Sequence, residues 1–139
     1  MKFLNGAAAV IITMALIACE DTSTGSINDI EKIVFPASLV SYNRTVQPLL
    51  NIGCATTGCH DRETRASNLD LSDYLGFRQR FYDIVIINNG VGDTINSRLI
   101  WNLEGRVGAS PMPPQRSLND NQIRGFKQWI LEGATDTIP

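Results

Sequence analysis

The clearest hydrophobic period in the chain lies near its end. Ile123, Phe126, Trp129 and Ile130 recur three and four residues apart, which sets them on one face of a helix. Asn119 followed three residues later by Gln122 predicts a capping box at the start of that helix, and Gly133 marks its end. Trp129 is read as core. Upstream, "SRLIWNLEG" predicts a shorter helix with Ser97 as cap, Leu99, Ile100 and Leu103 inward, and Gly105 as stop. Toward the front, "SYNRTVQPLLNIGC" spaces Tyr42, Val46, Leu49, Leu50 and Ile52 at roughly helical intervals. Pro48 fits only a first turn, so this helix is predicted to begin near Val46 and to close at Gly53.

The middle of the chain is less regular. In "NLDLSDYLGFRQRFY", Leu69 and Leu71 alternate, and Leu75, Phe77 and Phe81 then suggest one or two irregular helical turns. "DIVIINNGVGD" is a brief apolar run closed by a turn cluster, and it is read as too short to build a sheet on. The pattern predicts an all-α domain of short helices and long irregular loops. A domain with so much loop needs something other than its own side chains to organise it.

The first residues follow a different logic. Lys2 gives a short positive start, and Leu4 to Ala18 is apolar apart from Asn5, Gly6 and Thr13. That run is short for a bilayer span and reads as a secretory signal. Its end, "LIAC", resembles the bacterial lipobox, which implies cleavage before Cys19 and lipidation of that cysteine. The expected organisation is a signal peptide over 1–18, a lipidated tether over 19–39 and a domain over 40–139. The tether is polar, with an apolar landing patch at Ile33, Val34 and Phe35. The expected location is the bacterial cell envelope, on the periplasmic side or at the outer membrane. Acyl chains on Cys19 would hold the protein there, each buried methylene contributing about 0.8 kcal/mol.

Composition narrows the partners. The 139 residues, 43% of them hydrophobic, suffice for one domain with its own core. The formal charge is −2, and one unit more negative once Lys2 is lost. Nucleic acid is excluded as a partner, because its readers carry basic patches.

The chemistry concentrates in "CATTGCH", residues 54–60. After Cys19 is committed to lipid, Cys54 and Cys59 are the remaining cysteines. His60 is the sole histidine, and Met112 is the one methionine left after the signal. A structural zinc site wants four ligands, usually as two separated pairs. Here no second pair exists, and a fourth ligand would have to be a carboxylate such as Asp61. A Cys54–Cys59 disulfide is easy in an oxidising envelope but closes only a small loop and leaves His60 unexplained. Covalent haem needs two thiols on one short segment and a histidine directly after the second, as in C-x-x-C-H. This chain has four residues between its cysteines, with Gly58 relaxing the backbone before Cys59. Met112, in "SPMPPQ", offers a soft thioether suited to iron, with Pro113 and Pro114 limiting the loop beyond it.

With these residues in view, the chain resembles the c-type cytochrome family, in particular small monohaem cytochrome domains of envelope lipoproteins in Bacteroidetes-like and planctomycete-like bacteria. The likeness covers most of residues 42–134 and runs through "TVQPLL", "CATTGCHD", "LDLSDY", "SRLIWNLEG", "MPP" and "LNDNQIRGFKQWILEGA". It implies a cytochrome c-like fold wrapped around one covalent haem c, attached at Cys54 and Cys59. His60 is then the proximal iron ligand and Met112 the distal one. The implied role is one-electron transfer to redox partner proteins of the envelope, with no enzymatic activity. The longer bridge departs from the usual spacing and bears on the local geometry and on which maturation machinery accepts it. Arg98, Arg106 and Arg116 are candidates to pair a haem propionate, and Trp101 either donates its N–H to one or packs in the core. Two alternatives stand beside this reading. One is a haem-free binding or structural lipoprotein with a Cys54–Cys59 disulfide, and the other a haem sensor or enzyme in which Met112 leaves the iron.

Overall fold

The structure, a computed structural model, describes residues 27–114 and 116–137. The expected signal segment and Cys19 lie outside the described residues. In chain order the elements are α1 (Ile27–Ile30), a π-helical turn (Tyr42–Val46) running into α2 (Gln47–Gly53), and a 3₁₀ turn (Ala66–Asn68). After these come α3 (Tyr74–Arg78), α4 (Phe81–Ile84), strands β1 (Ile86–Asn88) and β2 (Val91–Asp93), α5 (Arg98–Glu104) and α6 (Asp120–Leu131).

Helix α6 carries the core. The Asn119–Gln122 capping box forms in both directions, satisfying two otherwise orphaned N–H groups. Gln122 does more than cap. It is buried, and its Nε2 donates to the Ile30 carbonyl at 2.6 Å. Phe126, Trp129 and Ile130 are buried along the inward face. The Trp129 ring lies 5.5 Å from that of Tyr42, 5.9 Å from Phe77 and 6.4 Å from Phe81, so one side chain joins α6 to the segments before α2 and within α3 and α4. Its indole N–H donates to the Thr135 carbonyl at 2.9 Å.

The all-α expectation does not hold. β1 and β2 form an antiparallel pair in the register Ile86–Asp93, Ile87–Gly92 and Asn88–Val91. The connection is Asn89-Gly90, with φ of 50° and 79°. Two successive left-handed residues make the kind of two-residue turn that matches strand twist, and Asn-Gly is its strongest sequence signal. The hairpin also has a partner surface: a Cβ on Gly92 would stand 1.9 Å from the Ile130 carbonyl oxygen, so β2 lies directly on α6. Ser97 ties it off. Its fully buried hydroxyl accepts from Ile86 N–H at 2.9 Å and donates to the Asp93 carbonyl, bridging the open end of the hairpin. The side chain therefore clamps the sheet instead of capping α5, where no side-chain cap bond is made.

The folded region also begins ahead of residue 40. Phe35 is buried on Gly125, where a Cβ would meet its ring at 2.1 Å. Ile30 packs on Gly53 in the same manner, at 2.7 Å. Glu132 accepts from the N–H groups of Leu39 and Val40 at 2.7 and 2.8 Å. Of the expected landing patch, Phe35 is buried and Val34 is 69% exposed.

Overpacking a tight site typically costs about 1–3 kcal/mol. Gly92→Ala is expected to lower unfolding stability by at least that much in urea titration, while Val91→Ala, at a 60% exposed neighbour, changes it little.

Candidate functional site

The last turn of α2 delivers the motif. Leu50 accepts from the N–H groups of Cys54 and Ala55 at 2.8 and 2.7 Å, carrying the helix into the bridge. The extra bridge residues are taken up as a turn. Cys59 N–H donates to Thr56 O at 2.9 Å, and His60 N–H reaches back to Cys54 O at 3.1 Å, so the loop is closed by its own ends. Gly58 sits at φ +83°, a left-handed position, and donates to the Thr64 hydroxyl at 3.1 Å. Both cysteines are free thiols. Burial pushes the Cys54 thiol up to about 12, partly opposed by the charge of Arg116.

His60 is oriented by backbone. Its Nδ1 lies 3.0 Å from the Ala66 carbonyl oxygen. A carbonyl can only accept, so Nδ1 carries a proton, and in the neutral ring that leaves Nε2 as the nitrogen able to bind a metal. Ala66 is itself held by donating to Cys59 O at 2.8 Å. The residues around it are unusual: Arg65, Ser67 and Asn68 have φ of 45°, 56° and 61°, none of them glycine. Such backbone persists only where neighbours over-determine it. Asp70 is one such neighbour. Its buried carboxylate accepts from Ser72 N–H at 2.9 Å and lies 3.7 Å from both Arg62 and Arg65. Burial raises the Asp70 pKa, but the Ser72 hydrogen bonds and the two guanidinium charges outweigh it and hold the group below its ordinary value.

Cys54 and His60 of the motif and Met112, more distant in sequence, line one cleft of about 450 Å³. That lies within the range of about 300–1,000 Å³ common for organic-ligand sites. Its walls include Leu50, Leu69, Leu71, Ile84, Leu99 and Leu103, with Ser67, Arg80, Asp83, Arg98, Asn102 and Ser110 as the polar members. Met112 is pinned by its N–H to the Asn102 carbonyl at 2.9 Å, which fastens the methionine loop to α5. Asn102 Oδ1 is buried and without a partner. Cys59 is half-buried beside the cleft and is not among its lining residues. Among the described residues no group of three or more His, Cys, Asp or Glu is arranged to hold a bare metal ion. His60 and Met112 offer an imidazole and a thioether to one cleft, a donor pair that would suit a metal whose other positions were filled by a flat macrocycle. The apolar walls, thiol, imidazole and thioether all fit haem.

The expected propionate partners divide. Arg98 lines the cleft and has no hydrogen bond or ion pair among the described residues. Arg106 is drawn away by Glu104 at 2.5 Å and by Ile95 O at 2.8 Å. Arg116 lies behind the motif, donating to Ile52 O at 3.3 Å, with its Nη1 buried and unpartnered. Trp101 fills neither expected role. It is 36% exposed and gives its indole N–H to Ile95 O. Sequence reasoning missed Arg80, Asp83, Asn102 and Asp70. Asn102 alone had a signal, standing one helical turn after Arg98. A second cleft, of about 500 Å³, runs between Phe35–Ala37 and α6, and no cysteine, histidine or methionine lines it.

No protein-family model, curated protein or solved structure matches the chain.

Asp70→Asn is expected to cost about 1.5–3 kcal/mol at pH 7, the scale of a charge-assisted hydrogen bond. A carboxyl whose folded pKa is depressed stabilises above its unfolded pKa and loses that contribution as pH falls through the folded value. The difference between the variant and the original chain should therefore shrink below the ordinary carboxylate range, read from urea midpoints across pH.

Proposed function

We propose that the protein is a lipid-anchored one-electron carrier of the cell envelope that holds a single covalent haem c. One observation carries the reading. The only histidine of the chain has Nδ1 committed to the Ala66 carbonyl and opens, with Cys54 and Met112, onto one apolar cleft. Haem supplies an iron centre that gains and loses one electron, which the side chains alone cannot do.

The chain's own residues have separable tasks. Cys59 and Cys54 would hold the haem covalently, each thiol adding S–H across one vinyl double bond with nothing released. His60 Nε2 would be one iron ligand, and the Ala66 carbonyl keeps the ring from turning. Met112 Sδ would be a second iron ligand, and the bond from its N–H to Asn102 O limits how far the loop can swing. Histidine with methionine favours a raised reduction potential. The leucine walls exclude water and lower the local dielectric, which further sets that potential. With His60 and Met112 both holding the iron, the site would suit electron transfer better than substrate binding. Envelope redox proteins would meet it through a small, transient interface, and acylated Cys19 would hold it at the membrane.

The test is a pyridine haemochrome spectrum of denatured, solvent-extracted protein made without residues 1–18 alongside a c-type maturation system. Retained haem with two saturated vinyl groups is the expected result. One saturated vinyl would leave Cys59 attached and Cys54 free. No retained haem, with a Cys54–Cys59 disulfide present, would overturn the reading in favour of a haem-free binding module.

Met112→Ala is expected to lower the midpoint potential and to admit carbon monoxide to the reduced protein at concentrations that leave the original untouched. Identical spectra for the two proteins would show that Met112 is not a ligand.

A further inference from the structure

Among the polar groups of the cleft that the ligand set does not use, two stand one turn apart on the same helix. Arg98 and Asn102 are four residues apart on α5 and both line the cavity, so their side chains are neighbours on the helix surface. The Arg98 guanidinium has no ion pair or hydrogen bond among the described residues, although Asp83 lines the same cleft. Asp83 is engaged by Arg80. The Asn102 amide makes no side-chain hydrogen bond among the described residues, and Oδ1 is its buried end.

We propose that Arg98 and Asn102 form a carboxylate-binding pair in this cleft, a role that rests on the haem reading when the carboxylate is a haem propionate. The two ends of an asparagine amide differ only in hydrogen-bond role, and which end points where is settled by the partner. Oδ1 is the enclosed end of the Asn102 amide, so Nδ2 is the end that can donate into the cleft the residue lines. A donor beside an unpaired guanidinium is a site for an anionic oxygen. Guanidinium matches a carboxylate with two parallel N–H donors, and the amide adds a third. Arg80 neutralises Asp83, the one carboxylate that would otherwise repel the ligand from the same cavity. Asn102 would then serve both faces of the site, its backbone carbonyl holding the Met112 loop and its side chain the carboxylate. It is a positioning residue on the first count and a binding residue on the second.

The experiment uses the protein as purified with the maturation system, together with Arg98→Gln and Asn102→Leu. Arg98 is exposed, so its variant is safe for folding even where Asn102→Leu is not. If haem is retained, the propionate bending bands in the resonance Raman spectrum should shift in each variant, and the thermal midpoint should fall by about 4–8 °C, the effect of losing roughly 1 kcal/mol in a domain of this size. Unchanged propionate bands in both variants would overturn the pairing while leaving the haem reading intact. If no haem is retained, sodium succinate is titrated into the colourless protein. A rise in thermal midpoint that Arg98→Gln abolishes would keep the carboxylate pair, assign it to a free organic acid and reject the haem reading. No response to succinate would reject both.

Discussion

The indole of Trp129 meets rings from three other stretches of chain, Tyr42, Phe77 and Phe81, and gives its N–H to the turn that follows its own helix. Aromatic pairs of this kind contribute about 0.5–1.5 kcal/mol each beyond the area they bury. Their larger consequence is positional. Tyr42 heads the coil that ends at Cys54, and Phe77 and Phe81 fix the short helices whose neighbours Arg80, Asp83 and Ile84 border the cleft. No helix among α1 to α5 has more than seven residues, too few to be stable alone. They are held because each presents an apolar side chain to α6 or to a neighbour that does.

How much of this was legible in the sequence follows the range of the interaction. Helix α6 was readable because its cap, period and stop lie within fifteen residues, Asn119 to Gly133, and reinforce one another. Helix α5 and the end of α2 at Gly53 were readable for the same reason. The hairpin was not, although Asn89-Gly90 is a strong local signal, because strands of three residues gain little from pairing alone. What sustains them is the bare surface of Gly92 against α6 and the hydroxyl of Ser97, contacts that no window of sequence contains. The burial of Ile30 and Phe35 is hidden in the same way, since each depends on a glycine far along the chain.

The candidate site shows a similar division. Cys54, Cys59, His60 and Met112 stand out by residue type, and inventory alone directs attention to them. Their arrangement is another matter. That His60 would be oriented by Ala66, that Asp70 would brace the left-handed backbone around it, and that the Asn102 carbonyl would secure Met112 are all facts of folding. Of the arginines and tryptophan proposed on chemistry alone, only Arg98 reaches the cleft. Arg106 and Trp101 satisfy each other and Ile95 instead, which is the usual fate of a surface cation beside an aromatic ring.

Because Ile30 is locked against Gly53, little chain separates Cys19 from the packed domain. Eleven peptide steps lie between Cys19 and Ile30, and since Ile27–Ile30 is helical their reach is less than the about 40 Å of a fully extended chain. If Cys19 carries the lipid, the cleft can never wander far from the bilayer surface. Its search for partners then becomes two-dimensional. Encounter depends on lateral diffusion and surface density, and a donor or acceptor standing well above that layer is beyond its range however well the two surfaces match.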